Sequence, residues 1–519
     1  MANKKTSIYI LLFLIIALGF FLRIYNIDNA PPGVYPDEAV NGQDALNANA
    51  TGNYQWFYPS NQGREGLFMN FIAILFKFFG VSVLTLKLPA IIFGTLTIWG
   101  TYLLGKELFN TRIGLISSFL TAVAFWAINF SRISFRANLL PAVLVFSFYF
   151  LWKGLRTRAW ADFAIGGFIF GIGLHTYIAF RIAPTILIIA LFSLIASRPN
   201  FIKEYWRKIL IFIVFTAIAA APMLYTFFYA HPEYFESRSD NISVFSAKVN
   251  QGHLAQTFLK SFALSLAKYN LWGDQNWRHN YPPYPILDPF TGIAFLFGFI
   301  YVCIKTLGTL FQRIFKKIKN PEMDKYVFLF VWFFAMLAPE FLTAEGNPHA
   351  LRSIGTLPVV FLFSGITFNF FLEKAEKHTY LFKKLVVGFT VFMLIFIGFF
   401  NAIKYHYFWA SKIETARAFD KNVMDISDYL KTLPPQEEKY VVTETMQRIP
   451  IQVLNQNLPN VYYAYPGQAT YIEPKDKNNF IVLFTDRNDD IVNNFQQKYP
   501  NMRFSEIKDS MGMSYYIFK

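Results

Sequence analysis

The stretch I-L-I-F-I-V-F-T-A-I-A-A-A-P-M-L-Y-T-F-F-Y, Ile209–Tyr229, decides the class of this chain. It carries no charge over 21 residues, and as a helix it crosses roughly 30 Å of hydrocarbon. Arg198, Lys203, Arg207 and Lys208 precede it. Similar runs recur from end to end: Ile8–Tyr25, Leu67–Phe79, Leu88–Leu104, Ile113–Phe130, Leu139–Trp152, Phe163–Tyr177, Ile182–Ile195, Pro289–Ile304, Tyr326–Leu342, Ser353–Leu372 and Leu385–Ala402. Over 519 residues, 54% are hydrophobic and 16% charged, where a soluble domain carries about a quarter charged residues. A mostly α, multi-pass membrane protein is therefore expected.

The loops set the topology. Lys4 and Lys5, Lys153 with Arg156 and Arg158, the 198–208 cluster, the Lys305–Lys325 group and Lys374–Lys384 are basic, which places them on the cytoplasmic side. The net charge of +15 follows from this bias and does not call for nucleic acid. The first run has no small-residue cleavage site and reads as a retained span. Working back from the basic loops, Leu67–Phe79 cannot also cross. At 13 residues it is too short, and it reads as an interfacial helix. Eleven crossings remain, with the N-terminus inside and the C-terminus outside, in a cell membrane. Loops 26–66 and 230–288 become large and extracytoplasmic. The tail changes character: K-Y-V-V-T-E-T and N-F-I-V-L-F-T alternate with helical stretches, giving an α/β domain. The expected division is 1–404 for the membrane domain and 405–519 for the α/β domain. The single cysteine, Cys303, excludes a disulfide framework.

Charges are sparse in the middles of the runs and gather at their outer ends. A proton- or ion-coupled transporter would need them near the midplane, so the pattern points to chemistry at the outer membrane surface. Six motifs lie there. P-P-G-V-Y-P-D-E-A holds Asp37 and Glu38 ahead of a helical stretch. Asp37 reads either as an N-cap or as a general base close to the bilayer. G-R-E-G-L-F holds Arg64 and Glu65, readable as a snorkelling cation beside a capping acid or as substrate contacts. N-F-S-R-I-S-F-R-A-N spaces Arg132 and Arg136 one helical turn apart, for headgroups or phosphate. G-L-H-T-Y-I-A-F-R-I-A-P offers His175, Tyr177 and Arg181. W-G-D-Q-N-W-R-H-N interleaves Asp274 and His279 with aromatics, either an aromatic belt or a surface for a sugar ring. G-N-P-H-A-L-R brings His349 and Arg352 to the start of a span, with Arg352 favoured as a phosphate contact. No cofactor is expected: the seven His are scattered, no outer loop shows H-x-x-x-H or D-x-D, and Gly-rich phosphate loops are absent.

One carboxylate with one or two arginines suits sugar transfer from a polyprenyl phosphate. The acceptor hydroxyl needs a base, while the phosphate leaving group needs cations and no general acid. The order of P-D-E, R-E-G-L-F, K-L-P-A (Lys87–Ala90), L-G-K-E-L-F-N (Leu104–Asn110), S-R-I-S-F-R and G-D-Q-N-W-R-H-N resembles the polytopic glycosyltransferases of the C-type fold. The nearest branches are the protein O-mannosyltransferases and the lipid A aminoarabinose transferases. The resemblance covers about the first 400 residues. It implies an inverting single displacement on the extracytoplasmic face, with Asp37 as base and Glu65 as a second acid. In the aminoarabinose branch that acid precedes Lys-Pro; here Gly66 and Leu67 follow. The implied partners are a polyprenyl-phosphate sugar, a protein, glycan or lipid acceptor, and the bilayer. Two alternatives stand beside it: a metal-dependent, oligosaccharyltransferase-like enzyme, and a flippase or transporter of lipid-linked sugars.

Overall fold

The computed structural model describes residues 2–61, 63–236, 243–477 and 479–519; residues 237–242 of the 230–288 loop and residue 62 of the first loop lie outside the described residues. Among the described residues, eight helices are long and apolar enough to cross a membrane: Lys5–Ile24, Val83–Leu108, Arg136–Thr157, Ile178–Ser197, Phe201–Ala230, Pro289–Phe315, Ile354–Ala375 and Tyr380–Trp409. A ninth crossing is counted if the pair Thr111–Val123 and Phe125–Ser131, bent by 60°, forms one span. Eleven crossings were expected. Each expected run does fall on a helix, but two fall short of the requirement. Trp160–His175 is too short at 1.5 Å per residue, and Asp324–Phe341 carries Asp324, Lys325 and Glu340 in 18 residues. Leu67–Phe79 is a separate helix of 13 residues.

The chain divides into two compact units. The first comprises residues 1–25, 55–68 and 89–405 and holds most of the apolar helices. Its broken helix has a visible cause. Ala124 is extended, with ψ 134°, and residues 115–133 around it contain no proline or glycine. Long-range partners satisfy the backbone groups that the break orphans. The Phe125 amide donates to Asn401 Oδ1 (3.0 Å). Arg23 donates to the carbonyls of Ala122 (3.0 Å) and Thr121 (3.2 Å) and to Ser131 Oγ (3.0 Å). Arg23 is fully buried there.

The second unit comprises residues 26–54, 69–88 and 406–519. Its five-stranded sheet has the order β4-β3-β5-β7-β6. β3 is Glu438–Val442, β4 Val461–Ala464, β5 Phe480–Phe484, β6 Phe504–Lys508 and β7 Ser514–Phe518. β3 runs parallel to β4 and β5; β7 is antiparallel to β5 and β6. Alternation on the central strands feeds two cores. Val441, Ile481 and Leu483 meet Val423, Ile426 and Leu430 of the Lys421–Thr432 helix on one face. Val442, Val482 and Phe484 meet Phe495 and Phe518 on the other. With both faces covered, F-I-V-L-F is apolar throughout.

Residues 26–54 of the first loop belong to this unit. A Cβ on Gly33 would come within 2.0 Å of the Phe419 carbonyl oxygen, and the buried Lys87 ammonium donates to the Gly33 carbonyl (3.3 Å). Gly42 of helix Pro36–Thr51 leaves room for Val453 and Leu86. Gly33→Ala must therefore displace backbone. We expect a loss of about 1–3 kcal/mol, read as a lower melting temperature of the detergent-solubilised protein.

Candidate functional site

In the second unit, Asp37 and Glu38 open helix Pro36–Thr51. Pro36 suits the first helical position because its missing N–H would be unsatisfied there anyway. Tyr35, not Asp37, is the N-cap, and Glu38 reaches back to accept from the Tyr35 amide (3.1 Å). Capping thus falls to the fully buried Glu38. Asp37 is half-buried at the positive end of the helix dipole.

In the first unit, Arg64 and Glu65 lie on a two-stranded hairpin. β1, Phe57–Tyr58, pairs antiparallel with β2, Arg64–Glu65. Gly66 closes it: its amide donates to the Trp56 carbonyl (2.7 Å), and a Cβ there would meet the Gln55 oxygen at 2.0 Å. Arg64 is buried and turns back onto its own hairpin, donating to Ser60 Oγ (2.6 Å). Glu65 accepts from Arg136 Nε (2.5 Å). The Arg136 guanidinium lies over the Tyr177 ring, 5.7 Å from its centroid. His175, also near this hairpin, meets the Trp56 ring edge-on at 5.6 Å and bonds the Ala219 carbonyl (2.9 Å). Arg181 donates to the Phe235 carbonyl (2.9 Å), and its guanidinium lies over the rings of Phe235 and Phe227.

Burial pushes the Glu65 carboxyl up, but the charge and hydrogen bond of Arg136, its backbone hydrogen bond and the charge of Arg181 outweigh this. The group is held below its ordinary 4.5. A depressed value means that the pairing stabilises the fold above pH 4.5 and is lost as pH falls through the folded-state value. Acidification below pH 4.5 is therefore expected to lower the melting temperature of wild type more steeply than that of Glu65→Gln.

A second group in the same unit joins the 272–288 and 346–353 segments. Asp274 is buried, as is His279. Asp274 Oδ2 accepts from the Ala350 amide (2.7 Å) and lies 3.0 Å from His279 Nδ1; Oδ1 accepts from the Asn276 amide (2.8 Å). The His279 and His349 rings are 4.7 Å apart. The His349 amide donates to Glu340 Oε1 (3.0 Å), whose other oxygen is ion-paired with Lys268; both side chains of that pair are fully buried. Arg352 donates to the carbonyl and carboxylate of Glu345. Burial pushes the His349 imidazole well below its ordinary value, with the charges of His279 and Arg352 adding to the effect. Asp274 is pushed up by burial, but His279, His349 and the Asn276 amide hold it below its ordinary value.

The segment around Arg136 touches both groups. Arg136 pairs with Glu65, Phe130 and Phe135 contact the His279 ring, and Asn129 donates to the Arg278 carbonyl (2.8 Å). Arg132 instead donates to the Leu22 carbonyl and lies over Tyr405. The Glu65–Arg136 and Lys268–Glu340 pairs were not foreseen, because their members lie 71 and 72 residues apart.

The sequence of residues 67–225 matches the family described as dolichyl-phosphate-mannose-protein mannosyltransferase. No curated protein matches the chain. Among solved structures, the oligosaccharyltransferase AglB of Archaeoglobus fulgidus, in complex with an inhibitory peptide and a dolichol-phosphate, superposes with a TM-score of 0.54. It is 14% identical over 93% of this chain and 70% of its own. ArnT of Cupriavidus metallidurans bound to undecaprenyl phosphate gives a TM-score of 0.53, at 10% identity over 98% of this chain and 97% of its own. The apo form of ArnT gives 0.54, again at 10% identity. At these identities the likeness is one of fold, and it agrees with the resemblance carried by the motifs: this chain has the C-type fold of the polytopic membrane glycosyltransferases.

Proposed function

We propose that the chain is a membrane glycosyltransferase that moves a monosaccharide from a polyprenyl-phosphate donor to an acceptor hydroxyl on the extracytoplasmic face. The observation that carries this reading is the start of helix Pro36–Thr51. Glu38 supplies the cap, so the Asp37 carboxylate is not the capping group and is assigned the role of base. The family match over residues 67–225 and the fold it accompanies support the reaction class.

In this reading Asp37 takes the proton from the acceptor hydroxyl as its oxygen attacks the anomeric carbon. The bond to the phosphate oxygen breaks in the same step, and polyprenyl phosphate departs with its electron pair. Arginines of the outer loops compensate the developing charge. Arg352 is the assigned phosphate contact, with Arg181 or Arg64 in support. Arg352 meets the donor by exchanging its Glu345 contacts for phosphate. Glu38 and Glu65 position substrates indirectly, Glu38 through the helix start and Glu65 through Arg136.

A single displacement inverts the reacting carbon. The linkage formed by purified protein should therefore have the anomeric configuration opposite to that of the donor, as read by NMR of the product. Retention would require a covalent sugar intermediate and would overturn this mechanism.

A further inference from the structure

Asp274, His279 and His349 each offer one donor atom, and the three atoms lie within 4.8 Å of one another. All three side chains belong to the first unit, on two segments already joined by the bond from the Ala350 amide to Asp274. We propose that these three residues form a binding site for a divalent transition-metal ion of the zinc class. One carboxylate and two imidazoles make up a three-ligand zinc set, which leaves a fourth position for water or another ligand.

Two observations carry the assignment independently. The first is the geometry. Zinc bonds of about 2.1 Å to nitrogen and oxygen place neighbouring ligands of a tetrahedron about 3.4 Å apart. The pair His279 Nδ1 and Asp274 Oδ2, at 3.0 Å, is already at that scale, and the widest separation, within 4.8 Å, needs to close by no more than about 1.4 Å. The second is an unexplained atom. His349 Nδ1 is sealed from solvent and has no hydrogen-bond partner among the described residues. Buried polar atoms in native proteins are paired, and an ion bound through His349 Nδ1 would supply the missing partner. A self-contained hydrogen-bonded trio would leave that nitrogen unsatisfied.

The surroundings fit. The nearby Lys268 ammonium is neutralised by Glu340. Glu340 also holds the His349 backbone in place through its amide, and the Asn276 and Ala350 amides orient the Asp274 carboxylate. Ligands held from behind in this way are characteristic of built metal sites. The ion would pin the 272–288 segment to the 346–353 segment. The inference concerns metal binding alone and does not depend on the glycosyl-transfer reading.

The test uses full-length protein in detergent, with any affinity tag removed. It is dialysed against a chelator, exposed to zinc, washed, and assayed for metal by mass spectrometry. Wild type is expected to retain about one zinc per chain. His349→Ala is expected to bind at least about a hundredfold more weakly, a loss no smaller than removal of a supporting group produces. Equal zinc content in wild type and a folded His349→Ala overturns the proposal. If that variant fails to fold, His349→Cys loaded with cobalt decides. A thiolate-to-cobalt absorption band, absent from wild type with its Cys303, is expected, and its absence in folded protein overturns the site.

Discussion

Asp37→Asn is expected to lower sugar transfer by about a hundredfold or more, the scale of losing a positioned general base. The substitution keeps size and shape, and the amide cannot accept the acceptor proton. Because Glu38 provides the cap, the helix start should survive. The melting temperature should stay near that of wild type, and donor binding should be retained. Radiolabel transfer in membranes, with donor binding measured in parallel, checks both. Glu38→Gln is the informative contrast. It weakens the reach back to the Tyr35 amide, so it should cost stability before it costs chemistry. If Asp37→Asn transfers as well as wild type, the base lies elsewhere.

The second large effect concerns the buried Lys268–Glu340 pair. Both side chains are fully buried, and removing one partner strands a charge away from water. Lys268→Met or Glu340→Leu alone is therefore expected to destabilise by about 3–5 kcal/mol. Replacing both should cost less than the sum of the single changes, because the desolvation of both charges disappears with their attraction. Glu340→Leu should be the worse single change, since Glu340 also accepts from the His349 amide. Melting temperatures of the two single variants and the double variant in detergent give this cycle directly.

What the sequence shows, and what it does not, follows from the range of the forces involved. Runs such as Ile209–Tyr229 must be helical in hydrocarbon, since no water is there to satisfy the backbone. Their positions were readable from apolarity alone. The strands at Glu438–Val442 and Phe480–Phe484 were equally local in K-Y-V-V and F-I-V-L-F. The break at Ala124 was not readable. Residues 122–128 around it are all apolar, and the partners that stabilise it, Arg23 and Asn401, come from distant helices. The same holds at the site. Asp37 stood out because proline and a helical stretch flank it. The pairing of Glu65 with Arg136, and the approach of His349 to Asp274 and His279, depend on segments that only folding brings together. Spacing rules look along the chain, so they do not reveal a cluster split between residues 274–279 and residue 349. Arg64 shows the same limit: only the fold reveals that its guanidinium donates to Ser60 of its own hairpin.

The most direct test of the central claim is a donor panel. Membranes containing the wild-type chain are given labelled polyprenyl-phosphate monosaccharides, and the label is followed from the lipid phase into acceptor. At least one donor should lose its sugar, with one polyprenyl phosphate released per sugar transferred. If every donor stays intact while one is moved across the bilayer, the chain is a flippase and the glycosyltransferase account is wrong.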